Sequence, residues 1–319
     1  MTVRLTVRRA DWLQHVYGTA GAYGSTMVPV VKGNGYGFGR PILHDLARDV
    51  SGDVCVGSIH ELIDVPAALS PVVLTPALRP PSDTWPVLTV GHVDHVRALA
   101  GWNGRVMVKL ASSMRRYGVG PDELRPLLDT VAAAGLTCSG FALHLPLAGD
   151  DDARLAEIEA WFPHLPNESA LWVSHLAPAA YTSLRERHPD RDLRIRIGTA
   201  LWHGRPRGTF LHLSAEVLDV RTIRAGERAG YRLTPAPHGG ALVVIGAGST
   251  HGIAPLEHDD PTQRSPFHFA HRRLTLLEPP HMHSSLAIAD ASAAVPAVGS
   301  RVDVQHPLVH THVDEVEWV

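Results

Sequence analysis

A (β/α)8 barrel followed by a smaller all-β domain is the fold class this sequence predicts, and three observations predict it. Short apolar runs recur eight times between residues 27 and 199. Amphipathic stretches with apolar residues at three- and four-residue steps lie between them. From about residue 208 the texture changes to brief β-rich runs broken by glycine and proline, with no convincing helix. A length of 319 residues exceeds the usual single domain, so a barrel at 1–207 and a β-rich C-terminal domain at 208–319 are expected.

The candidate barrel strands are MVPVVK (27–32), DVCVGS (53–58), PVVLTPA (71–77), PVLTVG (86–91), RVMVKLA (105–111), CSGFALH (138–144), ALWVSHL (170–176) and LRIRIGT (193–199). Valine-rich runs bounded by turn residues suit strands buried on both faces. The clearest helix patterns are PDELRPLLDTVAAAG (121–135), with Gly135 placed to end it, and DARLAEIEAWFPHL (152–165). In the C-terminal part, GTFLHLSAEVLDVRTIRAGERAGYRLT, GALVVIGAGS, HRRLTLLEPP and AVGSRVDVQHP read as strands, whereas GIAPLEHDDPTQRSP (252–266) is polar and proline-bearing enough for a long loop. No internal repeat points to a solenoid.

Composition narrows the partners. Apolar residues make up 45% and charged residues 19%, an ordinary globular mixture. The net charge of -3 comes from interspersed charges, which leaves no footprint for nucleic acid or anionic lipid and favours a small-molecule ligand. Cys55 and Cys138 are the only cysteines, so neither a disulfide framework nor a thiolate metal cluster is expected, and a reducing cytoplasm fits. The first residues are charged throughout, and no apolar window reaches the length of a membrane span, so neither export nor membrane insertion is expected.

Within a barrel the chemistry sits at the C-terminal ends of strands, and Lys32, Lys109, His144 and Arg196 fall there. Lys32 closes an apolar run and precedes Gly33, Gly35 and Gly37, interleaved with Asn34 and Tyr36. It is either a snorkelling strand end or a chemical handle. The stretch VVKGNGYG (30–37) resembles the cofactor-binding segment of the alanine racemase family, pyridoxal-phosphate enzymes of fold type III. VKLASSMRRYG (108–118) looks like that family's segment with a lysine and a cofactor-facing arginine, RIGTALWHG (196–204) like its Arg-x-Gly segment, and IRAGERAGYR (223–232) like the entry to its β domain. Together these span most of the chain in the family's order.

The resemblance implies a pyridoxal-phosphate amino-acid racemase, an isomerase working by two bases. Lys32 would carry the cofactor as a Schiff base and move the substrate α-proton on one face. Tyr231 would serve the opposite face from the partner subunit, which implies a homodimer with shared active sites. Tyr36, Gly198 and Thr199 would hold the cofactor phosphate, His144 would stack on its ring, and Arg196 would face its pyridine nitrogen, keeping that nitrogen unprotonated. Arg116 and Met282 would meet the substrate, Arg116 by charge-assisted hydrogen bonds and Met282 through its backbone N–H. From the residues alone, Tyr231 is equally an amphipathic strand-start residue and Lys109 a plain structural cation, although some family members carry a carbamylated lysine at that place.

Several positions depart from the family's pattern. Pro178 and Ala179 stand where an Asn-Ser pair usually helps hold the phosphate, and Ser174 is the candidate to compensate. Ala247 replaces a second active-site tyrosine, and the chain closes on HVDEVEWV, before a segment that brings another. Both changes point to a wider mouth and a substrate larger than alanine. The chain also has 21 histidines, with His281 and His283 flanking Met282 and His251, His258, His268 and His271 before them. By resemblance to metal-dependent D-threonine aldolases and D-serine dehydratases, that segment would bind a divalent ion and the activity would be a lyase on a β-hydroxy amino acid. The readings weighed are thus a racemase without metal, a metal-assisted lyase, and a non-catalytic pyridoxal-phosphate-binding protein.

Overall fold

The computed structural model describes residues 2–204, 207–260 and 263–319. They form two compact units: one holds Gln14–Gly35 and the chain from Arg40 to the 204 region, the other the first 13 residues, Tyr36–Gly39 and the chain beyond residue 206. No helix among the described residues is long and apolar enough to cross a membrane.

The first unit is a closed barrel of eight parallel strands. The N-terminal strand β1 (Val3–Val7) is not among them; after helix α1 (Arg9–Tyr23) come β2 (Met27–Pro29), α2 (Arg40–Val50), β3 (Asp53–Val56), β4 (Ser70–Val73), β5 (Val87–Val90), α3 (Val93–Arg97), β6 (Arg105–Lys109), α4 (Pro121–Ala133), β7 (Thr137–Ala142), α5 (Asp151–Trp161), β8 (Leu171–Ser174), α6 (Pro178–Arg187), β9 (Leu193–Ile197) and α7 (Thr199–Trp202). The sheet runs β2-β9-β8-β7-β6-β5-β4-β3 and closes through a parallel bridge between Val30 and Cys55, with the Val31 N–H donating to the Cys55 carbonyl at 2.8 Å. Each of the eight runs expected to be a strand is one. Their interior is filled by Val28, Val30, Cys55, Val72, Val87, Met107, Ala142 and Trp172, an apolar plug of branched and aromatic side chains.

Local chemistry sets the helix ends. Pro121 opens α4 at a position where its missing N–H costs nothing, and Gly135, with φ +73°, turns the chain away just past its end. The Asp150 carboxylate accepts the Ala153 N–H at 2.9 Å and caps α5. The barrel is not fully regular: a 3-10 turn over Ile59–Asp64 follows β3, and residues between β4 and β5 form no α-helix.

The second unit is antiparallel for the most part. Its centre is the long strand β10 (Leu211–Ile223), flanked by β13 (Gly240–Ile245) and by β18 (Arg301–Val304). The hairpin β11 (Arg228–Ala229) and β12 (Thr234–Pro235) stands apart, while β14 (Phe267–Phe269), β15 (Arg272–Arg273), β16 (Thr275–Leu276) and β17 (Ser285–Asp290) extend the main sheet. β1 pairs antiparallel with β10, Val3 opposite Ala215, and parallel with β19 (Glu315–Trp318), Arg4 opposite Glu315.

The division expected at residues 207 and 208 is continuous in sequence, whereas the compact units are not. β1 buries Val3, Leu5 and Val7 in the sheet of β10, and the Asp314 carboxylate accepts the Thr2 and Val3 N–H groups at 3.0 and 2.8 Å. Phe38 stacks on Trp12 with centroids 4.7 Å apart, and Trp12 in turn meets Trp318 at 5.3 Å. Burying these large rings draws Tyr36–Gly39 into the β unit. Of the loop expected at 252–266, residues 261 and 262 lie outside the described residues.

Candidate active site

The barrel gathers its chemistry at the C-terminal ends of its strands. Lys32 leaves β2 three residues past Pro29 and is open to solvent, with protein around much of its stem. The turn after it needs glycine: Gly33 and Gly35 have φ of +61° and +62°, and a Cβ on Gly35 would lie 2.4 Å from the Arg40 nitrogen. The Gly35 N–H donates to the Lys32 carbonyl at 3.1 Å. Two charged side chains grip Gly33: Arg40 donates to its carbonyl at 2.7 Å, and its N–H donates to Glu61 at 3.3 Å. Arg40 is itself held by Asp64, and the other Glu61 oxygen accepts the Gly57 N–H at 2.7 Å, tying the end of β3 to the turn that follows Lys32. Burial lowers the Lys32 pKa, and the positive charges of Arg116 and Arg196 lower it further, while Glu61 pulls the other way. The amine is thus easier to deprotonate than a free lysine, which a Schiff-base or proton-moving lysine requires.

Arg196, in β9, is buried and spends its donors on carbonyls: Nη2 donates to Leu143 at 2.6 Å and Trp172 at 3.3 Å, and Nε to Val173 at 3.3 Å. Lys109, at the end of β6, is 4% exposed, and its Nζ has no hydrogen-bond partner among the described residues. Burial, then Arg196 and Arg116, push its pKa down to about 5. His144 is pushed down to about 2 by burial, then by Arg196 and Lys109, so its imidazole is neutral. Its Nδ1 meets the Ser174 hydroxyl at 3.0 Å, and its ring lies 4.9 Å from that of His175. Ser174 also accepts the Leu145 N–H at 3.2 Å. That hydroxyl, expected to help with a phosphate, is instead occupied in orienting His144.

The loop after β6 carries Arg116 exposed, its guanidinium 4.6 Å from the Tyr117 ring. Tyr117 donates to the Leu74 carbonyl at 3.2 Å, and Ser113 is bound to Glu157 through its N–H and hydroxyl at 2.6 and 2.8 Å. At α7, the Gly198 carbonyl accepts the Leu201 and Trp202 N–H groups, while the N–H groups of Thr199 and Ala200 belong to a first helical turn that supplies them no acceptor. Trp202 Nε1 donates to the Val30 carbonyl at 2.8 Å, fixing α7 to the strand that delivers Lys32.

The remaining candidates belong to the β unit. Tyr36 is buried, with φ 56° in the turn Gly35–Gly37. Tyr231 is 86% exposed and its ring lies 4.2 Å from that of His281; Met282 is 63% exposed. Ala247 is fully buried, its carbonyl accepting the Ser285 hydroxyl at 2.6 Å. His283 meets the Thr250 hydroxyl at 3.2 Å, and His281 bonds the Glu278 carboxylate. Among the described residues no group of three or more His, Cys, Asp or Glu side chains is placed to hold a metal ion.

The barrel therefore brings Lys32, Arg116, His144, Ser174, Arg196, Gly198 and Thr199 to strand ends, and adds residues that sequence reasoning missed. Glu61 left one trace, four positions beyond Gly57 in GSIHEL. Glu278 and His175 left none, since their roles arise from contacts distant in sequence.

A parallel barrel with a lysine of lowered pKa just past its first strand, joined in one chain to a β-rich unit, is the class of fold found in the alanine racemases below. Residues 11–206 match the family model described as alanine racemase, N-terminal domain, and the chain belongs to that family. The alanine racemase of Marinobacter nauticus is 26% identical over 255 residues, 72% of this chain and 71% of that protein. The fold is shared with the alanine racemase of Bartonella henselae, solved with covalently bound pyridoxal phosphate (18% identity, TM-score 0.73, 100% of both chains). It is shared as well with the biosynthetic alanine racemase of Pseudomonas aeruginosa (17% identity, TM-score 0.71, 100% of this chain and 99% of that one).

Proposed function

We propose that this chain is a pyridoxal-phosphate-dependent amino-acid racemase that moves the α-proton with two bases, Lys32 and Tyr231, on a substrate larger than alanine. The observation that carries the reading is the lowered pKa of Lys32, just past the first barrel strand and within the field of Arg116 and Arg196. The residues present suit the cofactor. Lys32, Arg116 and Arg196 concentrate positive charge, the buried Lys109 amine has no partner among the described residues, and a multiply anionic group relieves that repulsion. When bound, pyridoxal phosphate withdraws electrons from the substrate α-carbon and acidifies its proton.

The chain's own groups do the rest. Lys32, once neutral, would be the attachment point for the cofactor and would take or return the α-proton on one face. Arg196, braced by three carbonyls, would present to the cofactor ring a guanidinium that disfavours protonation of a nitrogen beside it. His144, neutral and oriented by Ser174, offers a flat ring to stack upon. Thr199, Gly198 and Tyr36 are the proposed phosphate donors, and Arg116 and Met282 the substrate contacts. Tyr231 gives and takes the proton on the other face, from a second copy of the chain. The exposure of Tyr231, Leu233 and Met282, large apolar groups left uncovered in one chain, supports a homodimer, and the unpaired Cys55 and Cys138 support a cytoplasmic setting. The absence of a phenol at Ala247 supports the larger substrate.

The test is a panel of amino acids incubated with holoenzyme in deuterium oxide, followed by chiral analysis and mass spectrometry. Deuterium at Cα with inversion is expected, fastest for a side chain beyond methyl. Chelator-sensitive carbon–carbon cleavage or ammonia release selects the lyase reading, and exchange with no member of the panel selects a cofactor-binding protein without turnover.

A further inference from the structure

The Tyr231 turn rests on a single buried carboxylate. Glu278 is 6% exposed, and its two oxygens accept the Tyr231 N–H at 2.9 Å, the Arg232 N–H at 3.2 Å and the Thr234 hydroxyl at 3.0 Å. The same carboxylate bonds His281, whose ring lies over that of Tyr231 at 4.2 Å and 31°. The backbone on either side of His281 is fixed in turn: its N–H donates to the Ser284 carbonyl and its carbonyl accepts the Ser249 N–H, each at 2.8 Å. Gly230 completes the fit. Its φ is +80°, and a Cβ there would fall 2.2 Å from a Glu278 oxygen, so the carboxylate occupies the space any side chain would need.

We propose that Glu278 is the positioning residue of Tyr231, tying the backbone of the 230–234 turn and the His281 imidazole together so that the exposed phenol is presented in one orientation. The proposal rests on the reading of Tyr231 as a proton-moving group. Tyr231 has almost no neighbours of its own to hold it, since it projects 86% exposed from a turn. Charge-assisted hydrogen bonds from two consecutive N–H groups fix where its Cα sits, and the ring contact with His281 limits where its side chain points. The carboxylate is suited to the task because it stays ionised: burial works to raise its pKa, but hydrogen bonds from His281, Thr234, Arg232 and Tyr231 outweigh burial and lower it.

Glu278→Gln keeps the shape and replaces one acceptor oxygen with a donor facing other donors; Glu278→Asp keeps the charge and shortens the reach. Amide hydrogen exchange at Tyr231 and Arg232, read on the holoenzyme, should quicken about tenfold or more in Glu278→Gln. In the deuterium panel, inversion should fall about tenfold or more while exchange without inversion, the work of Lys32 alone, persists, so their ratio changes. KM should move little, and Glu278→Asp should recover part of both effects. If Glu278→Gln does not fold, Gly230→Ala displaces the carboxylate by a different route and should give the same pattern. Unchanged amide exchange at 231 and 232, or an inversion-to-exchange ratio equal to that of the parent, overturns the proposal. Should the parent enzyme itself never invert a substrate, the racemase reading fails, and the amide exchange still decides whether Glu278 fixes the turn.

Discussion

Lys32 and Tyr231 are held in opposite ways. The lysine stands just past a strand locked into a closed sheet, and the turn that follows it is gripped from both sides by Arg40 and Glu61, with Asp64 behind Arg40. The tyrosine stands on an exposed turn outside the main sheet, fixed by one carboxylate and one imidazole. Nearby charge differs as well. Arg116 and Arg196 act on the Lys32 amine within the barrel, whereas the Tyr231 ring meets His281 and solvent. The proposed lysine base thus stands where burial and repulsion ease the loss of its proton, and the tyrosine proposed to serve a second copy of the chain is left reachable.

Replacing either proposed base probes that contrast most severely. Lys32→Ala should remove more than about 10⁴-fold of turnover and abolish labelling of the chain by borohydride in the presence of pyridoxal phosphate, because both proton transfer and attachment are lost. Tyr231→Phe should cost about 10²- to 10³-fold in inversion yet leave α-proton exchange on the Lys32 face, seen as deuterium incorporation with retained configuration. Equal loss of exchange and inversion in Tyr231→Phe would contradict the division of labour.

A third change sharpens the electrostatic side. Lys109 has a folded-state pKa of about 5 against an ordinary 10.5, so between those values the unfolded chain binds a proton that the folded chain does not. Stability then rises with pH across that window and is lost as pH falls through it. Lys109→Met, which fills the same space without an amine, should raise the melting temperature at neutral pH and flatten its pH dependence between about 5 and 10. An unchanged slope would mean that the amine is partnered in solution.

The smallest effect is expected at Glu61, whose negative charge raises the Lys32 pKa against the stronger influence of burial and of Arg116. Glu61→Gln should shift the acidic limb of the turnover–pH profile, where a base at Lys32 loses its proton, to lower pH and change the maximal rate by only a few fold. A shift to higher pH would reverse the sign assigned to this carboxylate.

The barrel was legible because its strands are short, valine-rich and buried on both faces, which leaves an uninterrupted apolar run at each of the eight positions. The strand-end residues were legible for a related reason: once a run is a barrel strand, residues at or just past its C-terminal end must sit near the mouth, as Lys32, Lys109 and Arg196 do. Less was legible where partners are remote. Ser174 was expected, by resemblance, to compensate for Pro178 and Ala179 at a phosphate; its hydroxyl meets the Nδ1 of His144, thirty residues back, a contact the sequence did not foretell. β1 was grouped with the barrel that follows it, although its alternating burial suits the antiparallel sheet it joins more than two hundred residues later.

Amino-acid order alone determined which segments become strands and which residues crown them, since period, glycine placement and apolar runs are local properties of the chain. Tertiary structure decided the surroundings of those residues: that burial and two arginines lower the Lys32 pKa, that the Lys109 amine is buried without a partner among the described residues, that His144 is neutral, and that Glu278 accepts the Tyr231 and Arg232 N–H groups. The physical reason is that burial and charge–charge interaction act over a few ångströms of space, and the groups that supply them, Arg196 for Lys32 or Glu278 for Tyr231, come from chain positions that only folding makes neighbours.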